Sequence, residues 1–252
     1  MNQFSLSGKH VLITGASSGI GRQCAVSCSE SGATVTLVAR NTDRLKETES
    51  QLNGCRHFSV AQDLSELDAI EDVVKSTVKK NGKIDGFIHA AGIEGTEPIT
   101  LLNAIKYKSY FDINVLAGLE FSRFLTKKKY CNTSYASLVF IASVMGTLGQ
   151  PGKIAYSASK GALVNAVKSM ALEFAGKNIR VNSISPGIVL TPMTENLFAS
   201  LDADSKQAII NMHPLGIGTV TDVANACIFL LSDAAKWITG TNLIIDGGYS
   251  AK

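Results

Sequence analysis

The segment that most constrains the fold is a glycine-rich stretch that directly follows a short apolar run near the N-terminus. The run is Val11-Leu12-Ile13, and the stretch is Thr14-Gly15-Ala16-Ser17-Ser18-Gly19-Ile20-Gly21. Glycine permits positive φ and lets backbone approach a ligand closely, and a helix N-terminus stabilises an anion. A glycine turn alone can be simple punctuation, but a strand before it and a helix after it favour a dinucleotide-binding unit.

Strand-like runs alternate with helical patterns along the whole chain, which indicates an α/β fold. Near-continuous apolar runs such as Leu138-Val139-Phe140-Ile141 suit a parallel sheet that is covered on both faces. We therefore predict a doubly wound Rossmann fold, a seven-stranded parallel sheet with helices on both faces. The predicted strands are residues 10–14, 34–39, 56–61, 86–90, 137–142, 180–185 and 242–246. The predicted helices are residues 19–31, 41–53, 65–80, 100–130, 155–176, 194–212 and 219–232.

Length and composition favour a single domain. The chain has 252 residues, of which 45% are hydrophobic, and no linker or low-complexity run divides it. We expect one NAD(P)-binding Rossmann domain over residues 1–252. The net charge of +3 is spread along the sequence, so a nucleic-acid partner is not expected.

The cysteines and the N-terminus indicate the compartment. The five cysteines Cys24, Cys28, Cys55, Cys131 and Cys227 form no CxxC pair and have no histidine at metal-ligand spacing. We expect reduced thiols, no metal, and Cys24 and Cys28 packed in the core. No stretch of 18 uninterrupted apolar residues occurs, so we expect a soluble cytoplasmic chain without a membrane partner.

Tyr156 and Lys160 carry the clearest chemical signal. They stand four residues apart in Tyr156-Ser157-Ala158-Ser159-Lys160, so on a helix they share one face about 6 Å apart along the axis. A phenol is a weak acid at neutral pH, and a nearby ammonium favours the phenolate. The pair therefore indicates proton transfer beside a bound dinucleotide, which is oxidoreductase chemistry.

Arg40 bears on the choice of cofactor. The second predicted strand ends Leu37-Val38-Ala39-Arg40, where the adenosine ribose lies in a Rossmann unit. NAD recognition usually places a carboxylate there, whereas an arginine can bind the 2′-phosphate of NADP. We therefore expect NADP rather than NAD. Arg40 could also be a solvated strand end, and Asp43 could turn inward.

The predicted helix 155–176 is apolar on almost every side. Ala162, Leu163, Ala166, Val167, Met170, Ala171 and Phe174 form one stripe, and Val164 and Leu172 lie on another. The sheet can cover only one side of a helix, so a second subunit is expected to cover the rest. We predict a homodimer or homotetramer.

Taken together, these features resemble the short-chain dehydrogenase/reductase family over nearly the whole chain. Thr14 to Gly21 matches the family's TGxxxGxG turn, His89-Ala90-Ala91-Gly92 its NNAG segment, and Tyr156 with Lys160 its YxxxK pair. Asn114 matches the helix asparagine and Ser143 the catalytic serine. His89 and Ala90 replace two asparagines, which leaves the backbone turn at Ala91-Gly92 in place and makes His89 a structural residue in our interpretation.

The resemblance implies roles for individual residues. Tyr156 would exchange a proton with the substrate oxygen, Ser143 would orient that oxygen, and Asn114 would hold a water against Lys160. Lys160 would also bind the nicotinamide ribose. The implied cofactor residues are Gly15, Ser17, Ser18, Gly19, Ile20, Gly21, Arg40, Asp63, Leu64, Ala91, Gly92, Tyr156, Lys160, Pro186, Gly187, Ile188 and Thr191. Asp63 could equally be only a helix cap.

The substrate stays open at this point. Residues 192–213 resemble the family's substrate lid, with apolar Met193, Leu197, Phe198, Leu201, Ile209, Ile210 and Met212, although an ordinary core-facing helix is as good an interpretation. The chain is most similar in style to 3-oxoacyl-[acyl carrier protein] reductases. Lys129 and Lys177 are candidate contacts for an acidic carrier protein beside the active-site mouth, and they could equally be ordinary surface residues. Reductases of sugars, polyols, steroids and small ketones share this framework. A non-catalytic dinucleotide-binding regulator or scaffold is the alternative from another class.

Overall fold

A parallel sheet of seven strands forms the centre of the fold. The computed structural model describes residues 2–54, 56–199 and 201–251, with the side chains of all these except Met193, Asn196 and Leu197. The strand order is β3-β2-β1-β4-β5-β6-β9, and every pairing in this sheet is parallel. The strands are β1 His10–Thr14, β2 Thr34–Ala39, β3 Phe58–Ala61, β4 Gly86–His89, β5 Ala136–Ile141, β6 Ile179–Pro186 and β9 Asn242–Ile245. The predicted doubly wound fold is confirmed.

Helices cover both faces of this sheet because successive strand residues point into two separate cores. In β1, Leu12 belongs to one apolar cluster, and Val11 and Ile13 belong to the other. This explains why the strand has no polar side. The helices are α1 Gly19–Glu30, α2 Thr42–Glu49, α3 Ile70–Asn81, α4 Ala104–Phe111, α5 Ala117–Leu125, α6 Ile154–Ala175, α7 Pro192–Ala199, α8 Ala203–Asn211 and α9 Val220–Leu231.

Two predicted helices are divided in the structure. The region predicted as one helix over 100–130 consists of α4, a π-helical turn over Asp112–Leu116, and α5. The region predicted over 194–212 consists of α7 and α8. A short two-stranded sheet, β7 Val189–Leu190 with β8 Gly218–Thr219, ties the segment before α7 to the start of α9. The helix predicted over 100–130 rested on the spacing of apolar side chains. That spacing does not reveal a single π-helical turn such as Asp112–Leu116.

A local sequence signal accounts for the start of α9. At the start of α9, Thr219 and Asp222 form a reciprocal capping box.

Cys24, Cys28, Cys131 and Cys227 are buried free thiols, whereas Cys55 lies outside the described residues. Among the residues that the structure describes, no three His, Cys, Asp or Glu side chains cluster as metal ligands do. No helix in that part of the chain is both long and apolar enough to cross a bilayer.

Candidate active site

One large cleft opens at the carboxyl ends of the strands, where the sheet order reverses between β1 and β4. Its volume is about 1020 Å³. Crevices at such switch points are the usual ligand sites of open α/β sheets. Apart from Asn114, every residue predicted for the site lines this cleft: Gly15, Ser17, Ser18, Gly19, Ile20, Gly21, Arg40, Asp63, Leu64, Ala91, Gly92, Ser143, Tyr156, Lys160, Pro186, Gly187, Ile188 and Thr191.

The glycine turn between β1 and α1 leaves no room for side chains. Gly15 has a φ of +68°, and a Cβ placed there would lie 2.7 Å from the backbone nitrogen of Ala91. A Cβ at Gly21 would lie 2.3 Å from the carbonyl oxygen of Gly15. Glycine at these two positions therefore holds the first turn against the α1 helix and against the turn that follows β4.

The N-terminus of α1 fits an anionic group. Ser18, its N-cap residue, makes no side-chain hydrogen bond to the helix, and the first turn contains no acidic residue. The leading backbone N–H groups of α1 therefore lack a side-chain cap and face the cleft through Gly19 and Ile20. The residues present match what a cofactor diphosphate requires.

Arg40 and Asp63 lie together at the far end of the cleft. An Nη1 nitrogen of Arg40 is 3.7 Å from a carboxylate oxygen of Asp63, and the Arg40 side chain is 68% exposed. Asp63 also accepts hydrogen bonds from the backbone N–H and the hydroxyl of Ser65, and the backbone bond is the main cause that lowers the pKa of Asp63. Asp63 therefore lines the cleft and holds the turn at Ser65, and the helix-cap alternative is wrong, because the next helical turn has Glu66 as its N-cap. Arg44, not singled out in the sequence, also lines the cleft, whereas Asp43 does not.

Tyr156 and Lys160 lie on one face of α6, as predicted. The Lys160 Nζ is 5.7 Å from the centroid of the Tyr156 ring. It donates a 2.8 Å hydrogen bond to the carbonyl oxygen of Ile141, the last residue of β5. Lys160 is only 4% exposed, so this bond fixes the ammonium between the helix and the sheet.

The expected lowering of the Tyr156 pKa by Lys160 is wrong for this structure. Burial raises the pKa of Tyr156 to about 12, against a lowering by the hydroxyl of Ser143 and with a further increase from the charge of Glu94. Burial also lowers the pKa of Lys160 to about 8. Loss of hydration is therefore the main influence on the pKa of both groups. The phenol stays protonated at neutral pH, and a protonated phenol is ready to give a proton to a substrate oxygen.

Ser143 is placed by the end of β5. It is the N-cap of a short 3₁₀ turn, and its Oγ accepts a hydrogen bond from the backbone nitrogen of Met145 at 3.2 Å. The same hydroxyl lowers the pKa of the Tyr156 phenol and so opposes part of the increase that burial causes. A substrate oxygen between these two groups would meet two hydroxyl groups.

Asn114 does not line the cleft, but it contacts Ile93, which does. It lies in the π-helical turn, where its amide exchanges hydrogen bonds with the backbone N–H (2.8 Å) and carbonyl (3.1 Å) of Ile93. It also donates to the hydroxyl of Ser159 at 2.9 Å. The side chain therefore anchors the segment after β4 to α6. No bond from Asn114 to Lys160 occurs among the described residues, so the expected water-holding role stays a prediction.

His89 occupies the structural position we expected for it. The side chain is fully buried, and its Nδ1 is 2.9 Å from the Thr14 hydroxyl. Its Nε2 is 3.1 Å from the carbonyl of Ile113. Burial, with the charge of Lys160, lowers the pKa of His89 to about 3, so the ring is neutral. It ties the end of β1 to the turn that carries Asn114.

The predicted lid contributes part of one wall. Leu201, Ile209 and Met212 line the cleft, whereas the side chains of Met193 and Leu197 lie outside what the structure describes. The cleft has further lining residues that were not predicted: Glu94, Gln150, Lys153, His213 and Tyr249. A polar residue two places after the Ala91-Gly92 turn was the available signal for Glu94.

The two lysines suggested as carrier-protein contacts are not at the cleft. Lys129 precedes β5 and Lys177 precedes β6, and neither lines the cleft. The adjoining Tyr130 carbonyl accepts a hydrogen bond from Ile84, just before β4. Both lysines thus lie at the amino ends of the strands, and their expected position beside the mouth of this chain's own site is wrong.

Comparison with known proteins supports the geometry. A family model described as "Enoyl-(Acyl carrier protein) reductase" matches residues 15–250. A 3-oxoacyl-[acyl-carrier-protein] reductase FabG of Thermotoga maritima is 32% identical over 247 residues, covering 96% of this chain and 98% of the relative. An NAD-dependent glycerol dehydrogenase of Listeria innocua is 33% identical over 250 residues, covering 99% and 96%.

The solved structures give the same picture. The crystal structure of a short-chain type dehydrogenase/reductase from Mycobacterium marinum superposes with a TM-score of 0.89. It is 30% identical, and the alignment covers 100% of this chain and 99% of that protein. The similarity therefore extends from the glycine turn to the C-terminal strand and includes the whole cleft.

Proposed function

The chain belongs to the short-chain dehydrogenase/reductase family of oxidoreductases, which act on alcohol and carbonyl groups, and from that premise we propose an NADPH-preferring enzyme that interconverts a ketone and a secondary alcohol. The observation that carries this proposal is the placement of Tyr156, Ser143 and Lys160 together on the wall of the cleft. We propose that these three side chains, supported by Asn114, form the reaction centre.

We propose that the first half of the cleft holds the cofactor. The turn Gly15 to Gly21 and the open α1 N-terminus fit its diphosphate, and Asp63 and Leu64 fit the adenine. Ala91, Gly92, Pro186, Gly187, Ile188 and Thr191 line the path towards the nicotinamide. Arg40 and Arg44 offer two guanidinium groups to a 2′-phosphate, which supports NADP over NAD.

The residues of the second half support proton transfer. When bound, the nicotinamide supplies the hydride for reduction or accepts it in oxidation. Tyr156 gives its Oη proton to the carbonyl oxygen, since its pKa of about 12 keeps the phenol protonated. Ser143 orients the same oxygen by a hydrogen bond. Lys160, held by Ile141, keeps a positive charge beside the phenol and so stabilises the phenolate that remains.

Two substrate classes have support. A 3-oxoacyl thioester, with an acyl carrier protein as partner, is supported by the family description, by the Thermotoga relative and by the apolar Leu201, Ile209 and Met212. A polyol or sugar is supported by the Listeria relative and by the charged Glu94 and Lys153 on the cleft wall.

The test is a coupled substrate and cofactor screen. Acetoacetyl-coenzyme A, dihydroxyacetone and cyclohexanone are offered with NADPH or NADH, and absorbance of the reduced nicotinamide is followed. We expect turnover of at least one ketone, faster with NADPH, and a loss of about a hundredfold or more in Tyr156→Phe with cofactor binding retained. Equal turnover by Tyr156→Phe refutes the assignment of the proton donor.

The cofactor assignment is tested separately. In Arg40→Asp, a carboxylate would repel the 2′-phosphate and accept bonds from the ribose hydroxyls, so the preference should move towards NADH. Arg56→Asp is a matched charge change at an exposed arginine that does not line the cleft. An unchanged cofactor ratio in Arg40→Asp contradicts the assignment.

We also propose that the chain is one dinucleotide-binding domain over residues 1–252, with 192–213 as its substrate lid, and that it self-associates in the cytoplasm. Leu172 on α6 is 82% exposed, which supports a second subunit on that helix. The buried free thiols support a reducing compartment. Sedimentation at micromolar concentration should give a dimer or tetramer, and Leu172→Lys should weaken it.

A further inference from the structure

An ion pair lies on the cleft wall next to the proposed proton donor. Glu94 follows the Ala91-Gly92 turn by two residues, and Lys153 immediately precedes α6. The Lys153 Nζ donates a hydrogen bond to the Glu94 carboxylate. The side chains are only 10% (Lys153) and 31% (Glu94) exposed, and both line the cleft. Lys153 is a buried residue and Glu94 is an exposed one, so the pair places a buried ammonium against a carboxylate that solvent or a bound molecule can reach. A buried charge is costly without such a partner.

The pair faces Tyr156. The Lys153 Nζ is 5.9 Å from the centroid of the Tyr156 ring. The charge of Glu94 contributes to raising the pKa of both Tyr156 and Lys160, which places its carboxylate within electrostatic reach of the reaction centre. A substrate whose carbonyl bonds to Tyr156 and Ser143 would therefore extend its neighbouring atoms towards Glu94 and Lys153.

The pair leaves hydrogen-bonding capacity towards the cleft. An ammonium has three donors, and within the described part of the chain Lys153 uses one of them. The second oxygen of Glu94 accepts no hydrogen bond there. A bound molecule that supplies both an acceptor for Lys153 and a donor for Glu94 would satisfy the pair, and a hydroxyl group supplies both.

The charge balance narrows the class of molecule further. A carboxylate or phosphate next to Lys153 would be repelled by the carboxylate of Glu94. Because the pair has no net charge, it offers an anion no net attraction. A hydrocarbon chain would displace water from Glu94 and Lys153 and would not replace the hydrogen bonds that the water makes. Leu201, Ile209 and Met212 contribute apolar surface to the same cleft, which suits the carbon face of a short polyhydroxy molecule.

We infer that Glu94 and Lys153 bind hydroxyl groups on the carbons next to the reacting carbonyl, and that the substrate is a neutral polyhydroxy ketone or the corresponding polyol. The inference rests on the proposed function, since it needs the carbonyl to lie at Tyr156. It assigns Glu94 and Lys153 as specificity-determining residues.

The test compares two ketones of nearly the same shape. Dihydroxyacetone and pentan-3-one differ by the exchange of two hydroxyl groups for methyl groups. We expect the wild-type kcat/KM to favour dihydroxyacetone by at least about tenfold, because a site built to bond hydroxyl groups rejects an analogue without them. Acetoacetyl-coenzyme A and acetoacetate serve as the acyl thioester and the acidic ketone.

Three variants separate specificity from folding. Lys153→Met should reduce the preference for dihydroxyacetone to about equality, mainly through KM, with little change for pentan-3-one. Glu94→Gln removes the negative charge and leaves Lys153 unneutralised, so kcat/KM for acetoacetate should rise several-fold. Lys106→Met is the control, because it breaks the 2.5 Å Lys106–Glu97 pair in the same region without touching a cleft-lining residue.

The outcomes distinguish failure of this inference from failure of the proposed function. If pentan-3-one or acetoacetyl-coenzyme A is the better wild-type substrate, or if Lys153→Met and Glu94→Gln slow all ketones equally, the inference is wrong and the proposed function stands. If no ketone is reduced with either cofactor, both fail. If Lys153→Met does not fold, the gain on acetoacetate by Glu94→Gln decides the question.

Discussion

Lys160 holds an ammonium group in an almost fully buried position, so replacing it should expose a conflict between stability and function. In Lys160→Met a side chain of similar length without charge occupies the same space. The variant should lose turnover, because the charge beside Tyr156 is gone. It should nevertheless resist unfolding better than the wild type at pH 7.

The magnitude follows from the pKa of Lys160 and its one hydrogen bond. Burial lowers this pKa from 10.5 to about 8, and at about 1.4 kcal/mol per pKa unit the buried charge costs about 3 kcal/mol. The substitution also removes the bond to the Ile141 carbonyl, which is worth about 1 kcal/mol. The expected net gain at pH 7 is therefore about 2 kcal/mol.

The pH dependence gives the sign of the effect. Below the folded pKa of about 8, Lys160 is protonated in both states, so the full cost is present. Between about 8 and 10.5 the unfolded chain binds more protons, so wild-type stability rises with pH and the cost disappears. At pH 10 about 1 kcal/mol of the cost remains, which roughly equals the lost hydrogen bond. The advantage of the variant should then be near zero.

The assay is urea unfolding of wild type and variant at pH 7 and pH 10, followed by circular dichroism. Cofactor is left out because a ligand that binds the folded state raises apparent stability. Lys168→Met, an exposed lysine on the same helix, is the control and should show the same small effect at both pH values. A Lys160→Met variant that is less stable at pH 7, or equally altered at both pH values, would refute the reasoning.

Three further substitutions have defined outcomes. A Cβ at Gly15 would lie 2.7 Å from the Ala91 nitrogen, so Gly15→Ala should weaken cofactor binding by about tenfold or more in a fluorescence titration. Asn114→Ala leaves the Ile93 N–H without its acceptor, so urea unfolding should show a loss of about 1–3 kcal/mol together with lower kcat. Asp222→Ala opens the capping box of α9 and should cost about 1 kcal/mol with unchanged kcat/KM. Full stability of Asn114→Ala, or altered turnover in Asp222→Ala, would contradict these assignments.

Much of the site was predictable because its signals are local. The helical spacing of Tyr156 and Lys160 sets their separation before any packing, and β1 with its glycine turn defines the anion-binding end. The strand pattern predicts that the strands are parallel. The carboxyl ends of β4, β5 and β6 must then lie at the same edge of the sheet. The π-helical turn over Asp112–Leu116 was missed, because its hydrogen bonds change the pitch without a distinct side-chain pattern.

The sequence by itself determined the doubly wound fold, the dinucleotide turn and the phenol–ammonium pair, since each depends on residues a few positions apart or on the period of apolar side chains. The tertiary structure decided what those groups experience. It brought Glu94 against Lys153 from 59 positions away, and it placed Cys24 3.7 Å from Cys227 between α1 and α9. It also raised the pKa of Tyr156 rather than lowering it. Hydration is lost only when distant segments close over a side chain, and no local pattern reports which segments those are.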